Sequence, residues 1–209
     1  MDNIFVINLE ERKDKMEHIN KTFGNYFNIN RVSAIKDNEG WKGCLQSHLK
    51  CIKYAKDNNL KYIVVFEDDC KPVGENWFER FKNIKENIFD KKDDWDIFLG
   101  GSIKTSIKHI TKYNFESDNI FNIVRSYNTH CIVYNHTCYD FFLNSNNDLP
   151  IDVLWYQKVK CIIPLPFLFS IISTVSDIDK KYVKHHNKLI GNQNKLIQHI
   201  ESVDITCHE

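Results

Sequence analysis

Three carboxylates in a row, Glu67-Asp68-Asp69, follow directly on the apolar run Tyr62-Ile63-Val64-Val65-Phe66. Such a run reads as a buried strand, so the charges sit where the strand leaves the core. Their mutual repulsion is modest in water and grows several-fold in a cleft of lower dielectric. A divalent cation is the simplest compensation. Carboxylate oxygens are hard ligands, which suits Mg²⁺ or Mn²⁺ rather than zinc. Strand alternation puts Glu67 and Asp69 on one side and Asp68 on the other, so one or two of them reach a metal directly. Asp69 and Asp68 are the candidate ligands, and a solvated acidic turn is the plain alternative.

Other polar residues stand at the ends or on the faces of predicted elements. Asn8, Leu9 and Arg12 follow the apolar run Ile4-Phe5-Val6-Ile7, and an Arg there could fork onto a phosphate or a base. The alternative is an ordinary helix start. Ser47 and His48 fall inside a predicted helix, where they could touch a ligand or support the acidic triplet from behind. The alternative is a satisfied core histidine and a helix serine. Gly43 supplies backbone freedom before that helix. His130, His185 and His186 are further candidate metal ligands. Trp41 and Trp155 are candidate stacking faces.

The elements that must hold these residues alternate in type. Strands are expected at Ile4–Ile7, Asn28–Ile35, Tyr62–Phe66, Trp95–Leu99 and Cys131–Tyr134. Helices are expected at Glu10–Phe23, Cys44–Asn58, Glu75–Ile88, Thr137–Leu143 and Asp152–Lys158, from apolar residues at helical spacing. The pattern weakens from Ser102 to Tyr127, a candidate loop or lid. Alternation of this kind implies an α/β domain with a mainly parallel central sheet flanked by helices. Ligands in such sheets bind beyond the carboxyl ends of the strands, which is where the triplet falls. The reading is one domain over 1–209, with 180–209 as a helical tail packed on it.

Composition narrows the function classes. The 28 basic and 28 acidic residues cancel, which argues against nucleic acid as the main partner. Hydrophobic residues make up 42%, enough for a folded core. The seven cysteines are scattered singly with no CxxC pair, so a zinc ribbon is disfavoured. No secretory signal and no membrane span is read. The expectation is a reduced cytoplasmic protein with free thiols and no transmembrane anchor, acting at a membrane only peripherally.

Four stretches together resemble glycosyltransferase family 25, which includes lipopolysaccharide and procollagen galactosyltransferases. They are Val6-Ile7-Asn8-Leu9-Glu10-Glu11-Arg12, Gly43-Cys44-Leu45-Gln46-Ser47-His48, Ile63 to Asp69, and the pair Pro150-Ile151-Asp152 and Ser176-Asp177-Ile178. Gly40-Trp41-Lys42-Gly43 departs from the family's Gly-Glu-hydrophobic-Gly. The resemblance implies a GT-A fold, a UDP-sugar donor, Mn²⁺ or Mg²⁺, and inversion at the anomeric carbon. The acceptor would be a hydroxyl of a glycan, a lipid-linked sugar or a protein. It also implies that Asn8, Leu9, Arg12, Ser47, His48, Glu67 and Asp68 meet the donor. An inverting transferase needs a carboxylate to take the acceptor's proton. Asp152 is the candidate, with Asp177 as runner-up; helix capping is the plain alternative for each.

Two other functions compete. One is another metal-dependent nucleotide-diphosphate enzyme, such as a nucleotidyltransferase; no GxGxxG or GxxxxGK loop supports it, and glycine occurs only seven times. The other is a catalytically silent fold serving as a binding or assembly module.

Overall fold

The computed structural model describes residues 1–106, 111–115, 118–123, 125–146, 148–156, 158–172, 174–175, 182–183, 185–201 and 206–208. The first half runs β1 (Asp2–Asn8), α1 (Lys13–Phe23), β2 (Phe27–Ser33), α2 (Gly40–Asp57), β3 (Tyr62–Glu67), β4 (Cys70–Pro72), α3 (Trp77–Ile84) and β5 (Ile97–Leu99). Then come β6 (Lys104–Ser106), β7 (Thr111–Phe115), β8 (Asp118–Ile123), β9 (Arg125–Tyr127), β10 (Cys131–Asn135), α4 (Tyr139–Leu143) and α5 (Ile151–Leu154). The chain closes with β11 (Cys161–Leu165), β12 (Phe169–Ile171), β13 (Thr174–Val175), β14 (Tyr182–Val183), α6 (His185–Glu201) and β15 (Thr206–His208).

Among the described residues, nine strands form one sheet in the order β15-β7-β8-β11-β5-β10-β3-β1-β2. Following the pairings across it, seven strands point one way, and β10 and β8 run against them. The expected mainly parallel sheet flanked by helices is therefore present. Side-chain alternation divides the core into two layers. On β1 and β3, Ile7, Ile63 and Val65 face the layer under α2, α4, α5 and α6. Ile4, Val6, Val64 and Phe66 face the opposite layer, under α1 and α3. Both faces being apolar explains why these strands read as unbroken hydrophobic runs.

The parity of β3 then settles the site. Glu67 continues the series Ile63 and Val65, so it points toward α2. On β1, Asn8 continues Ile4 and Val6, so it points toward α1.

The stretch from Ser102 to Tyr127, expected as a loop or lid, instead contains β6 to β9, and β7 and β8 extend the main sheet. Ile120, Phe121 and Ile123 are buried, while Asn119 is exposed and Asn122 half-buried. Asparagine and lysine have low strand preference and hide this pattern. The apolar run through Pro164 forms β11. Its pairing with β5 involves Cys161 and Ile162 only, so the missing N–H of Pro164 interrupts nothing there. In the tail, α6 buries Leu189 and Leu196, and 206–208 form a strand beside β7 where helix was expected. Among the described residues, no helix is long and apolar enough to cross a membrane. Cys44, Cys51, Cys70, Cys131, Cys138 and Cys161 are free thiols.

Phe66 is fully buried, with the rings of Phe23 and Phe169 each 5.1 Å away. Phe66→Ala should lower stability by about 3–5 kcal/mol, read as a reduced urea midpoint with unchanged slope.

Candidate active site

A cavity of about 950 Å³ opens at the carboxyl ends of β1 and β3. Its size is at the upper end of small-ligand pockets. Glu67, Asp68 and Asp69 line it, together with Leu9, Ser47, His48 and Asp152. The cavity therefore gathers residues from the start, the first third and the last third of the chain.

The wall formed by α2 is held by close packing. A Cβ on Gly43 would lie 2.3 Å from the carbonyl oxygen of Ile35, so only glycine lets the helix approach. Gly43 lies inside α2 rather than before it, and its role is this approach. Ser47 accepts a hydrogen bond from the Ile35 N–H at 2.8 Å and donates to the Gly43 carbonyl at 2.7 Å. Ser47 is fully buried, and the bond from Ile35 pins α2 to the segment after β2.

Glu67 is gripped from the α2 side. One carboxylate oxygen lies 3.5 Å from His48 Nε2 and 3.8 Å from Cys44 Sγ, and it accepts the Thr129 hydroxyl. Burial works against its charge, but the His48 ring 3.5 Å away and the Thr129 hydroxyl favour the carboxylate and keep its pKa below the ordinary value. His48 is itself fully buried, and its Nδ1 lies 3.0 Å from the Tyr134 hydroxyl.

Asp68 faces α1. Its two oxygens take the Asn8 amide at 2.8 Å and the Lys15 ammonium at 3.1 Å. Lys15 is only 4% exposed, and a buried cation of this kind is tolerated because it is paired. Burial nonetheless raises the Asp68 pKa. Asn8 is spent on the protein: it also donates to the Arg12 carbonyl and accepts from Arg31. Arg12 forks onto Asp14 at 3.0 and 2.9 Å. Neither Asn8 nor Arg12 lines the cavity.

Asp69 does not follow strand parity, because the chain turns after Glu67. Its Oδ2 is 4.0 Å from Lys15, and its Oδ1 is buried with no hydrogen-bond partner. Burial first, and then the charge of Glu67, push its pKa up to about 8. A carboxylate held so uneasily is what a hard cation would relieve, so Asp69, with Asp68 beside it, fits Mn²⁺ or Mg²⁺.

Asp152 stands across the cavity on α5, half-buried. Burial and the Glu67 charge raise its pKa, against a lowering influence of the nearby backbone of Asp152 and Asn128. Asn128 has a φ of 126°, a strained value for a residue with a side chain, and it lines the cavity beside Thr129.

Trp41 lines the cavity, whereas Trp155 is 1% exposed and belongs to the core, which corrects its expected role as a stacking face. His130 is buried behind Glu67, whose N–H bonds its carbonyl at 2.9 Å, and it does not line the cavity. Asp177 and the side chains of His185 and His186 lie outside the described residues. Sequence reasoning missed Lys15, Cys44 and Thr129. The legible signals were the helical i, i+4 spacing of Cys44 to His48, and a lysine on the apolar side of α1.

The raised pKa of Asp69 carries a sign. The folded chain holds this proton more tightly than the unfolded chain, whose value is near the ordinary 3.8. The stability it supports is complete below pH about 4 and is lost as pH rises toward about 8. The metal-free protein should melt at progressively lower temperature from pH 5 to 8, and Asp69→Asn should flatten that decline.

Comparison with known proteins takes in part of this site. The model of glycosyltransferase family 25 (LPS biosynthesis protein) matches residues 38–147, more than half of the 209. Procollagen galactosyltransferase 1-A of Xenopus laevis is 29% identical over 130 residues, a match spanning 47% of this chain and 21% of that protein. A glycosyltransferase involved in the glycosylation of the major capsid of PBCV-1 shares the fold, with a TM-score of 0.51 and 10% identity. That superposition covers 96% of this chain and 98% of the other. The architecture is GT-A-like, and the matched segment runs from before α2 through the acidic triplet to α4: the chain belongs to glycosyltransferase family 25.

Proposed function

We propose that this glycosyltransferase binds a UDP-sugar in the cavity with Mn²⁺ or Mg²⁺ and transfers the sugar, with inversion, to a hydroxyl acceptor. A glycan, a lipid-linked sugar or a protein side chain would supply that hydroxyl. The observation that carries the reading is Asp69, whose buried, unpartnered oxygen shares a cavity with Asp152.

The roles follow from position. Asp69 would hold the cation, with Asp68 beside it. Bound there, the ion would offset the charge of a departing diphosphate. Lys15, already at 3.1 Å from Asp68, stands ready to face the same phosphates. Leu9 and the α2 wall would confine the donor. His48 and Thr129 keep Glu67 charged and oriented. Asp152 would accept the acceptor's proton as its oxygen bonds the anomeric carbon, while the bond from that carbon to UDP breaks. A raised pKa makes Asp152 the stronger base of the cavity's two outer carboxylates, since Glu67 is held low.

A donor screen with Mn²⁺ tests this. Release of UDP from a UDP-sugar supports it. Turnover of nucleoside triphosphates would favour a nucleotidyltransferase, and silence across all donors a binding module.

Two variants sharpen the test. Asp69→Ala should weaken UDP–Mn²⁺ binding on the order of 100-fold by calorimetry, since a direct metal ligand is lost, while still melting in one cooperative transition. Asp152→Asn should lower kcat by roughly 10²–10⁴-fold and leave donor affinity unchanged. Wild-type turnover in that variant would remove Asp152 as base.

A further inference from the structure

We propose that Cys44, His48 and Glu67 form a second cation site, suited to a borderline ion such as Zn²⁺ and separate from the hard-cation position at Asp69. This goes beyond the donor reading, which uses Glu67 only as a charged wall.

The donor atoms already stand at coordination spacing. Cys44 Sγ, His48 Nε2 and a Glu67 oxygen all lie within 4.8 Å of one another. His48 Nε2 is 3.5 Å and Cys44 Sγ 3.8 Å from Glu67 Oε1. With Zn–N and Zn–O near 2.0–2.1 Å and Zn–S near 2.3 Å, the edges of a tetrahedron are about 3.3 and 3.6 Å. The two edges to Glu67 are within a few tenths of an ångström of those values. The elements explain the coincidence: Cys44 and His48 are one helical turn apart on α2, and strand parity turns Glu67 toward them.

A second observation points to a ligand. His48 is fully buried, yet its Nε2 has no hydrogen-bond partner and is aimed at this cluster. On the other side of the ring, Nδ1 lies 3.0 Å from the Tyr134 hydroxyl. A proton on Nδ1, donated to that hydroxyl, leaves the Nε2 lone pair free for a metal, which is the outer-shell arrangement ligating histidines use. The Thr129 hydroxyl orients the carboxylate in the same way. Sulfur and imidazole donors select zinc over magnesium or manganese. The thiol proton leaves to solvent as the Zn–S bond forms. All three residues line the cavity, so a fourth position opens into it.

The test is a titration of the purified full chain with Co²⁺, a spectroscopic stand-in for Zn²⁺. Intense tetrahedral d–d bands with a thiolate-to-cobalt charge-transfer band, saturating at one equivalent and erased by Zn²⁺, are expected. Cys44→Ser should lose the charge-transfer band and bind Zn²⁺ at least tenfold more weakly. His48→Gln should weaken Zn²⁺ similarly, and its unchanged melting curve would guard against misfolding. Asp69→Ala should keep the full spectrum, which separates this site from the donor site. A weak octahedral spectrum, or a charge-transfer band that survives Cys44→Ser, would overturn the proposal. Failure of the wild-type chain to bind UDP–Mn²⁺ while the cobalt spectrum stands would instead count against the donor reading.

Discussion

Carboxylate charge concentrated at the end of one buried strand is the constraint on which the rest of this structure depends. Glu67, Asp68, Asp69 and Asp152 share one cavity. The chain meets each charge differently. Glu67 is held by His48 and Thr129, Asp68 by Asn8 and Lys15, while Asp152 is half-buried on α5. Asp69 is left with a distant Lys15 and a buried oxygen that nothing in the described residues bonds. The imbalance is local and directional. It leaves one buried carboxylate uncompensated, a cost that a positive charge placed beside it would offset.

Sheet geometry makes that partition possible. Because β1 and β3 are buried on both faces, consecutive side chains enter different layers. Glu67 and Asp68 can thus be neighbours in sequence and yet answer to opposite helices, α2 and α1. Within one layer the two would compete for the same partners. The turn that follows lets Asp69 escape the alternation and face the cavity.

Much of this was legible in the residues. The apolar runs of β1, β3 and β10 and the helical stripes of α1 and α2 located the central sheet and its covering helices. The acidic triplet marked where the cavity opens. What stayed hidden was either masked or long-range. Asparagine and lysine obscured β7 and β8, and proline obscured β11. Lys15 looked like a surface cation because its burial depends on a carboxylate more than fifty positions away. Asn8 and Arg12 looked free to meet a ligand, whereas Asn8 braces Asp68 and Arg31, and Arg12 is taken by Asp14. Trp155 looked like a platform beside Asp152, yet α5 is so short that its next residue already enters the core.

The latch between α2 and the segment after β2 has a consequence for how such a protein can diversify. Ser47 grips the Ile35 backbone N–H, and Gly43 abuts its carbonyl; no side chain of that segment is needed for the attachment. Ile35 itself is 41% exposed at the cavity's edge. The rim can therefore change its chemical character, one substitution at a time, while the helix carrying Cys44 and His48 keeps its seat. Selectivity for what enters becomes separable from the machinery beneath.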